Sequence, residues 1–164
     1  MFPSRIMFWV TDIDDLLAIR NLGCDGVHHP TFDGMTQAQQ IAFMAECERL
    51  RLQVGWSALG GTQYARNHRE QTVKYWKDSP LVSHVILTGD AQTVPAETQI
   101  EKYNLFKGWA PDLQFAIDRE FWFDRNGNYS EDAFDILFYY NYPYLTGYSV
   151  DYVYERMMLS MEYL

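Results

Sequence analysis

The sequence predicts an α/β fold built from consecutive strand–helix repeats. Six short and mostly apolar segments are predicted to be strands, and they begin near residues 6, 24, 53, 82, 113 and 135. Between most of these segments, apolar residues recur at helical spacing. Strands that are apolar along most of their length, separated by about one helix each, are typical of a parallel sheet covered by helices.

The strand boundaries are predicted from turn-forming or polar residues that follow each apolar run. The predicted strands are residues 6–11, 24–28, 53–59, 82–88, 113–120 and 135–142, and the fifth starts with the apolar run 113–117. The segment 82–88, VSHVILT, is the clearest because it is rich in β-branched residues and ends at Gly89-Asp90. The stretch 121–134 predicts a polar turn in place of a full helix.

Capping residues predict where the helices begin and end. Asp12 is predicted to cap a short first helix, and Thr36 with Gln39 forms a capping box that opens a second helix reaching about residue 50. The predicted buried stripe of this second helix is Ile41, Met44, Ala45 and Leu52. Further helices are predicted from an Asn67 cap, from Pro95 to a stop at Gly108, and from Ser149 onward.

A TIM-barrel-like (β/α)8 arrangement is favoured over an open, doubly wound parallel sheet. No Gly-rich phosphate loop follows the first strand, where the sequence reads Thr11-Asp12-Ile13-Asp14. Polar and aromatic residues follow all six predicted strands, as expected for the ring of loops that carries the site of a barrel. Residues 1–164 are therefore predicted to form a single barrel-like domain of about six of the eight units, truncated or split at its C-terminus.

Composition and charge exclude several classes of partner. The net charge is −9 and the isoelectric point about 4.7, so a phosphate backbone or an anionic membrane surface would be repelled. No apolar run approaches the ~20 residues of a membrane-spanning helix. Cys24 and Cys47 are predicted to be buried thiols. The first residues resemble no signal peptide, which predicts a cytoplasmic location by default.

Three segments resemble parts of glycoside-hydrolase TIM barrels. Residues 19–23, Ile-Arg-Asn-Leu-Gly, resemble a helix that ends in Leu-Gly before the next strand. Residues 80–92, PLVSHVILTGDAQ, look like the fourth strand of such barrels, and residues 135–147, DILFYYNYPYLTG, are similar to the sixth. The resemblance implies a barrel that acts on carbohydrate by carboxylate acid/base chemistry. Many members have Glu where this chain has Asp90, and a seventh strand that supplies a nucleophile.

Two carboxylates are predicted to be catalytic. Glycosidic cleavage needs a pair of carboxyl groups, about 5–5.5 Å apart for retention and ~6.5–9.5 Å apart for inversion. Asp90, at the end of the fourth predicted strand, is the predicted acid, and a helix cap or loop role is its alternative. Glu120 is the predicted partner, with an ion pair to a nearby arginine as its alternative. Asp118 and Glu120 share one side of a strand because they are two residues apart.

Polar and aromatic residues near the strand ends are predicted to contact the substrate. The predicted substrate-binding residues are Trp9, Asp12, His28, His29, Asp118, Tyr140, Asn141 and Tyr142. Aromatic faces suit sugar rings, although packing within the fold is the alternative for each of them. A metal held by His28, His29 and Asp12 is not predicted, because neighbouring residues of a strand point to opposite sides. No cofactor is predicted.

The alternative function is a catalytically silent barrel. Such a protein would bind carbohydrate, or serve a structural role, for example in a viral assembly. Both readings predict carbohydrate as the partner, with no nucleic acid and no membrane. Because six strands would leave the first and last edges of the sheet unpaired, the chain is also predicted to self-associate or to pair with a second chain that completes the barrel.

Overall fold

The computed structural model describes residues 7–59, 63–89, 93–120 and 131–140. Six strands form one parallel sheet in which they neighbour one another in chain order. The strands are β1 Met7–Trp9, β2 Gly26–His29, β3 Gln53–Ser57, β4 Val82–Thr88, β5 Phe115–Glu120 and β6 Ile136–Tyr140. The helices are α1 Leu16–Asn21, α2 Gln37–Leu50, α3 Gln63–Trp76 and α4 Ala96–Trp109, with short 3-10 helices at Ile13–Asp15, Phe32–Gly34 and Glu131–Ala133.

The predicted α/β fold with a parallel sheet is confirmed. The strand order rises from β1 to β6 without the reversal that defines a doubly wound sheet. Among the described residues, no helix is both long and apolar enough to cross a membrane.

One face of the sheet packs against the helices. A single hydrophobic cluster joins alternate strand residues to apolar residues of all four helices. Its members include Val27, Val54, Trp56, Val85, Leu87 and Phe115 from the strands and Leu16, Phe43, Val73 and Phe106 from the helices. Full burial of each such side chain stabilises the fold by roughly 1.5–3 kcal/mol. Because side chains alternate along a strand, Gly55 and Ser57 of β3 lie on the opposite face.

Two of the predicted helix starts are confirmed. Thr36 and Gln39 form the predicted capping box, with Thr36 N donating to Gln39 Oε1 at 2.9 Å and Gln39 N donating to Thr36 Oγ1 at 3.4 Å. Asp12 caps the 3-10 turn before α1, where its Oδ1 accepts from Asp14 N at 3.0 Å.

Two other predicted helix limits are wrong. Helix α3 begins at Gln63, so Asn67 lies inside it and accepts a hydrogen bond from Gln63 Nε2 at 2.6 Å. Helix α4 continues past Gly108 to Trp109, whose ring packs on Phe106 at 4.6 Å between centroids. The predicted helix from Ser149 lies outside the described residues.

Strand β4 carries two register shifts. Val82 pairs with Val54 and His84 pairs with Gly55, so Ser83 is an extra residue with no partner in β3. A second shift toward β5 lies between Ile86 and Thr88. Extra residues of this kind bend a strand and redirect the side chains that follow it.

Candidate functional site at the carboxyl ends of the strands

The carboxyl ends of parallel strands meet at one edge of the sheet, and several predicted site residues lie there. Trp9 is the last residue of β1 and His28 lies near the end of β2. Their rings are in contact, with 4.9 Å between centroids and 32° between the ring planes. The Trp9 side chain is 55% exposed, whereas His28 is buried. Trp9 therefore covers a buried histidine with one part of its ring and offers the remainder to solvent.

His28 also contacts His84 across the strand that separates them. Trp9, His28, Gly55 and His84 are in register on four neighbouring strands. Gly55 has no side chain, and a Cβ atom built there would come within 2.8 Å of His84 Nδ1 and closer still to other ring atoms. The His84 ring occupies that space and lies parallel to the His28 ring, with 18° between the two planes. Glycine at position 55 is thus what allows the two rings to meet.

The two histidines belong to a chain of buried hydrogen bonds. His28 Nε2 lies 2.8 Å from Ser57 Oγ, and His28 Nδ1 lies 3.3 Å from His84 Nε2. Ser83 Oγ lies 2.9 Å from His84 Nδ1 and 3.2 Å from the Val54 carbonyl oxygen.

These contacts assign a direction to the chain. The Val54 carbonyl can only accept, so the single hydroxyl hydrogen of Ser83 goes to it and His84 Nδ1 must donate to Ser83. With both rings neutral, His28 Nδ1 then donates to His84 Nε2, and Ser57 donates to His28 Nε2. In this series of hydrogen bonds, each donor therefore lies on the Ser57 side and each acceptor on the Val54 side.

Burial keeps His28 neutral. The pKa of His28 is lowered from 6.5 to about 3, first because burial disfavours the charged form and then because His84 and His29 lie nearby. A histidine in this state is a fixed hydrogen-bonding group at neutral pH, since it does not gain a proton there.

His29 faces the other way, as predicted for a neighbour of His28 in a strand. Its ring packs edge-on against Phe43, with 5.0 Å between centroids, on the helix side of the sheet. Burial lowers the pKa of His29 as well. Thr31 N donates to His29 Nδ1 at 3.2 Å. The structure therefore separates two histidines that the sequence places together.

Asp118 is a buried carboxylate on β5. It is 8% exposed. A Cβ atom built at Gly89, just after β4, would lie 3.4 Å from Asp118 Oδ1 and 3.0 Å from the Leu59 side chain. The Asp118 carboxylate therefore lies close to the backbone of the residue immediately before Asp90 in the chain.

The remaining predicted site residues are Asp12, Asp90, Glu120, Tyr140, Asn141 and Tyr142. The backbones of Glu120 and Tyr140 are paired in register at the ends of β5 and β6. Asp90, Asn141 and Tyr142 lie outside the described residues. Asp12 is exposed and serves as the cap of the turn before α1.

The sequence interpretation missed Gly55 and Ser57 as members of this cluster. A usable signal was present, because Gln53–Ser57 alternates apolar residues with small or polar ones. A glycine inside a strand often marks the close approach of another group. His84, which lies within the predicted fourth strand, is buried and hydrogen-bonded.

The described residues offer neither a metal centre nor a reactive thiol. No three His, Cys, Asp or Glu side chains within 7–59, 63–89, 93–120 and 131–140 lie close enough together to hold a metal ion. Cys24 and Cys47 are buried and unpaired, and burial raises the pKa of Cys47 to about 12. The Cys47 thiol is therefore not a nucleophile at neutral pH.

Comparison with known proteins supports the fold alone. No protein-family model and no curated protein matches the chain. The structure is similar to the crystal structure of an FMN-binding beta-glucuronidase from Facaelibacterium prausnitzii L2-6, with a TM-score of 0.55 and 15% sequence identity. The match covers 79% of this chain and 22% of the glucuronidase chain, so this chain spans about a fifth of that protein. The likeness agrees with the glycoside-hydrolase-like fold that the sequence resemblance implied.

Proposed function

We propose that this chain is a glycoside-hydrolase-like barrel protein that binds carbohydrate at the carboxyl ends of its strands. The observation that carries the proposal is the exposed ring of Trp9, which lies beside the buried polar chain of His28 and Ser57. The rising order of parallel strands and the fold likeness to a glucuronidase support the same assignment.

The proposed site combines an aromatic surface with a carboxylate. The C–H face of a sugar ring would stack on the open part of Trp9, whose other part is held in place by His28. Asp118 would accept hydrogen bonds from sugar hydroxyl groups, because an ionised carboxylate offers only acceptors. The net charge of −9 favours a neutral sugar over an anionic one.

Acid/base chemistry would come from Asp90 and Glu120. Asp118 links the two predictions, because its carboxylate approaches Gly89, the residue before Asp90, and it lies two residues before Glu120 on β5. Whether the product retains or inverts its configuration would follow from the separation of the two catalytic carboxyl groups. Without such a pair, the same site would serve the catalytically silent alternative.

Completion of the barrel is the third part of the proposal. In the described sheet, β1 and β6 are the edge strands. Closure requires these edges to pair with each other or with further strands, supplied by other parts of the chain or by a second chain. Sedimentation at low micromolar concentration distinguishes self-association from a monomer, and a well-behaved monomer with a cooperative melt would argue against pairing between chains.

The test is binding and turnover by the same purified chain. Neutral glycans on an array should bind the wild-type protein and should bind Trp9→Ala at least about tenfold more weakly, as expected when an aromatic anchor is lost. Leu105→Ala is the matched control, because Leu105 is also an exposed apolar residue but lies on α4. This variant should bind glycans as the wild type does. Equal binding by Trp9→Ala would contradict the proposed site.

Turnover separates the enzyme from the silent alternative. Aryl glycosides and polysaccharides that bind are then tested as substrates of the wild-type chain and of Asp90→Asn. Loss of hydrolysis in Asp90→Asn would support acid/base catalysis, and full activity would remove Asp90 from the mechanism. Binding without any hydrolysis by the wild type would favour the silent alternative.

A further inference from the structure

A groove lies between α2 and α3, on the helix layer and away from Trp9 and His28. Its volume is about 440 Å³, within the range of roughly 300–1,000 Å³ found for small-molecule sites. Its lining includes Gln40, Tyr64, His68, Gln71, Thr72 and Tyr75. The groove opens between α2 and α3, which are joined at its floor by hydrogen bonds of Gln40.

The groove is lined by polar and aromatic side chains. None of its lining residues is a carboxylate, a lysine or an arginine, although the chain as a whole carries a net charge of −9. Tyr64, His68, Thr72 and Tyr75 follow one another at helical spacing along one face of α3. Aromatic rings, amides and a hydroxyl group therefore line the groove in a protein whose net charge is −9.

The floor of the groove is held rigid by Gln40. This residue is buried, and its Nε2 donates to the carbonyl oxygens of Phe32 and Met35 at 3.1 and 3.2 Å. Nε2 also donates to Thr72 Oγ1 at 3.3 Å, while Oε1 accepts from Trp76 Nε1 at 2.9 Å. A floor whose polar groups are already ordered loses little entropy when a ligand binds.

One wall combines an aromatic surface with a defined acceptor. The rings of Tyr64 and His68 are stacked, with 4.0 Å between centroids and 18° between planes. His68 Nδ1 lies 2.8 Å from the Tyr64 carbonyl oxygen, which can only accept, so Nδ1 carries the hydrogen. In the neutral ring, Nε2 is then the acceptor nitrogen.

We propose that this groove is a second carbohydrate-binding site that takes a neutral oligosaccharide lying along α3. Tyr64 and Tyr75 are eleven residues apart, which is roughly 16 Å along a helix axis. Two aromatic surfaces that far apart suit an elongated ligand with several apolar ring faces. The amides of Gln71 and Gln37 and the hydroxyl of Thr72 would pair with sugar hydroxyl groups. A nucleotide is disfavoured because its phosphate would find no lysine or arginine in the lining.

Titration with neutral tetrasaccharides tests the groove directly. Cellotetraose, maltotetraose, xylotetraose and chitotetraose are added to the ¹⁵N-labelled full chain, and binding is followed by NMR and by calorimetry. At least one of them should shift the amide signals of Tyr64, His68, Gln71 and Tyr75. Tyr64→Ala and Tyr75→Ala should each weaken that binding by about tenfold or more. Tyr64→Phe and Tyr75→Phe keep the rings and should bind within about threefold of the wild type.

The controls separate this site from the one at the strand ends. Trp9→Ala should leave the groove signals and their affinity unchanged, whatever it does at the carboxyl ends. The proposal is overturned if none of the four tetrasaccharides shifts the groove signals at millimolar concentration, or if the alanine variants bind as the wild type does. It is also overturned if AMP, added as a probe, binds the groove in preference to every tetrasaccharide.

Discussion

His28 and His84 contact each other across β3, with 3.3 Å between His28 Nδ1 and His84 Nε2. Strand β3 lies between them and has Gly55 at the point of contact. Any larger residue at position 55 would occupy the space of the His84 ring. One small residue thus decides whether two buried imidazoles can share a hydrogen bond.

Gly55→Ala should therefore destabilise the protein more than most glycine-to-alanine changes. The new methyl group would overlap the His84 ring, and the ring would have to move and leave His28 without its partner. Overpacking of this kind typically costs about 1–3 kcal/mol, which urea unfolding measures. Gly108→Ala is the matched control, because a Cβ there meets nothing within 4 Å and alanine is the better helix residue. If Gly55→Ala and Gly108→Ala were equally stable, the His84 ring would be able to move aside without loss of stability.

The free energy of unfolding should fall as the pH drops below about 6.5. Between the unfolded pKa of 6.5 and the folded pKa of about 3, His28 binds a proton only in the unfolded chain, so acid favours unfolding. At pH 5 this one group should cost about 2 kcal/mol relative to pH 7.5. His29, whose pKa is also lowered, adds a loss of the same sign.

Urea unfolding at pH 7.5 and pH 5 checks this dependence. His28→Gln lacks the titrating ring, so its loss of stability between the two pH values should be smaller than that of the wild type. Parallel pH profiles for His28→Gln and the wild type would show that His28 is not responsible.

Trp9→Ala should raise the pKa of His28. The Trp9 ring covers His28, and burial is the main cause that keeps the pKa of this histidine low. Removal of the ring admits water, which stabilises the charged imidazole. NMR titration of the His28 ring protons measures the shift, and Leu105→Ala serves as the control. An unchanged His28 pKa in Trp9→Ala would mean that other groups exclude water from this position.

Arg69→Met should destabilise the fold through Asp33. Arg69 Nε lies 2.9 Å from Asp33 Oδ2, and the Asp33 side chain is almost fully buried. Loss of the Arg69 guanidinium would leave the buried Asp33 carboxylate with less electrostatic stabilisation. Since Lys102 also interacts with Asp33, a cost near the lower end of the roughly 3–5 kcal/mol seen for broken buried pairs is expected.

Thermal and urea unfolding of the Arg69 variant are compared with those of Arg49→Met. Arg49 pairs with Glu46 on the surface of α2, so its loss should change stability little. If the two variants were equally stable, the buried pair would contribute no more than the surface pair.

The sequence predicted the strands better than it predicted their ends. Apolar runs identify all six strands, and the predicted limits of β4 are confirmed. Strand β5 was predicted to run from Leu113 to Glu120; it ends at Glu120 as predicted but begins at Phe115. The charged residues Asp118, Arg119 and Glu120 belong to the strand because they pair with β6.

The buried side of α2 shows a similar limit. Ile41 and Ala45 were predicted to face the core, but both are exposed, while Gln40 is buried. Gln40 is accommodated because Phe32, Met35, Thr72 and Trp76 satisfy its amide. Those partners come from other elements, so no pattern within the helix could reveal them. The contact between His28 and His84 was hidden for the same reason, since 56 residues separate them in the chain.

Ser83 makes the start of β4 a place where the chain could change its length. A residue lost from a strand normally turns every later side chain to the wrong face. Here Val82 and His84 are already opposite consecutive residues of β3, Val54 and Gly55, so a chain without Ser83 would keep both pairings. Natural variation in length is therefore compatible with an interior strand of this fold as well as with its loops. The shorter chain would keep its sheet and lose the hydroxyl group that accepts from His84 Nδ1.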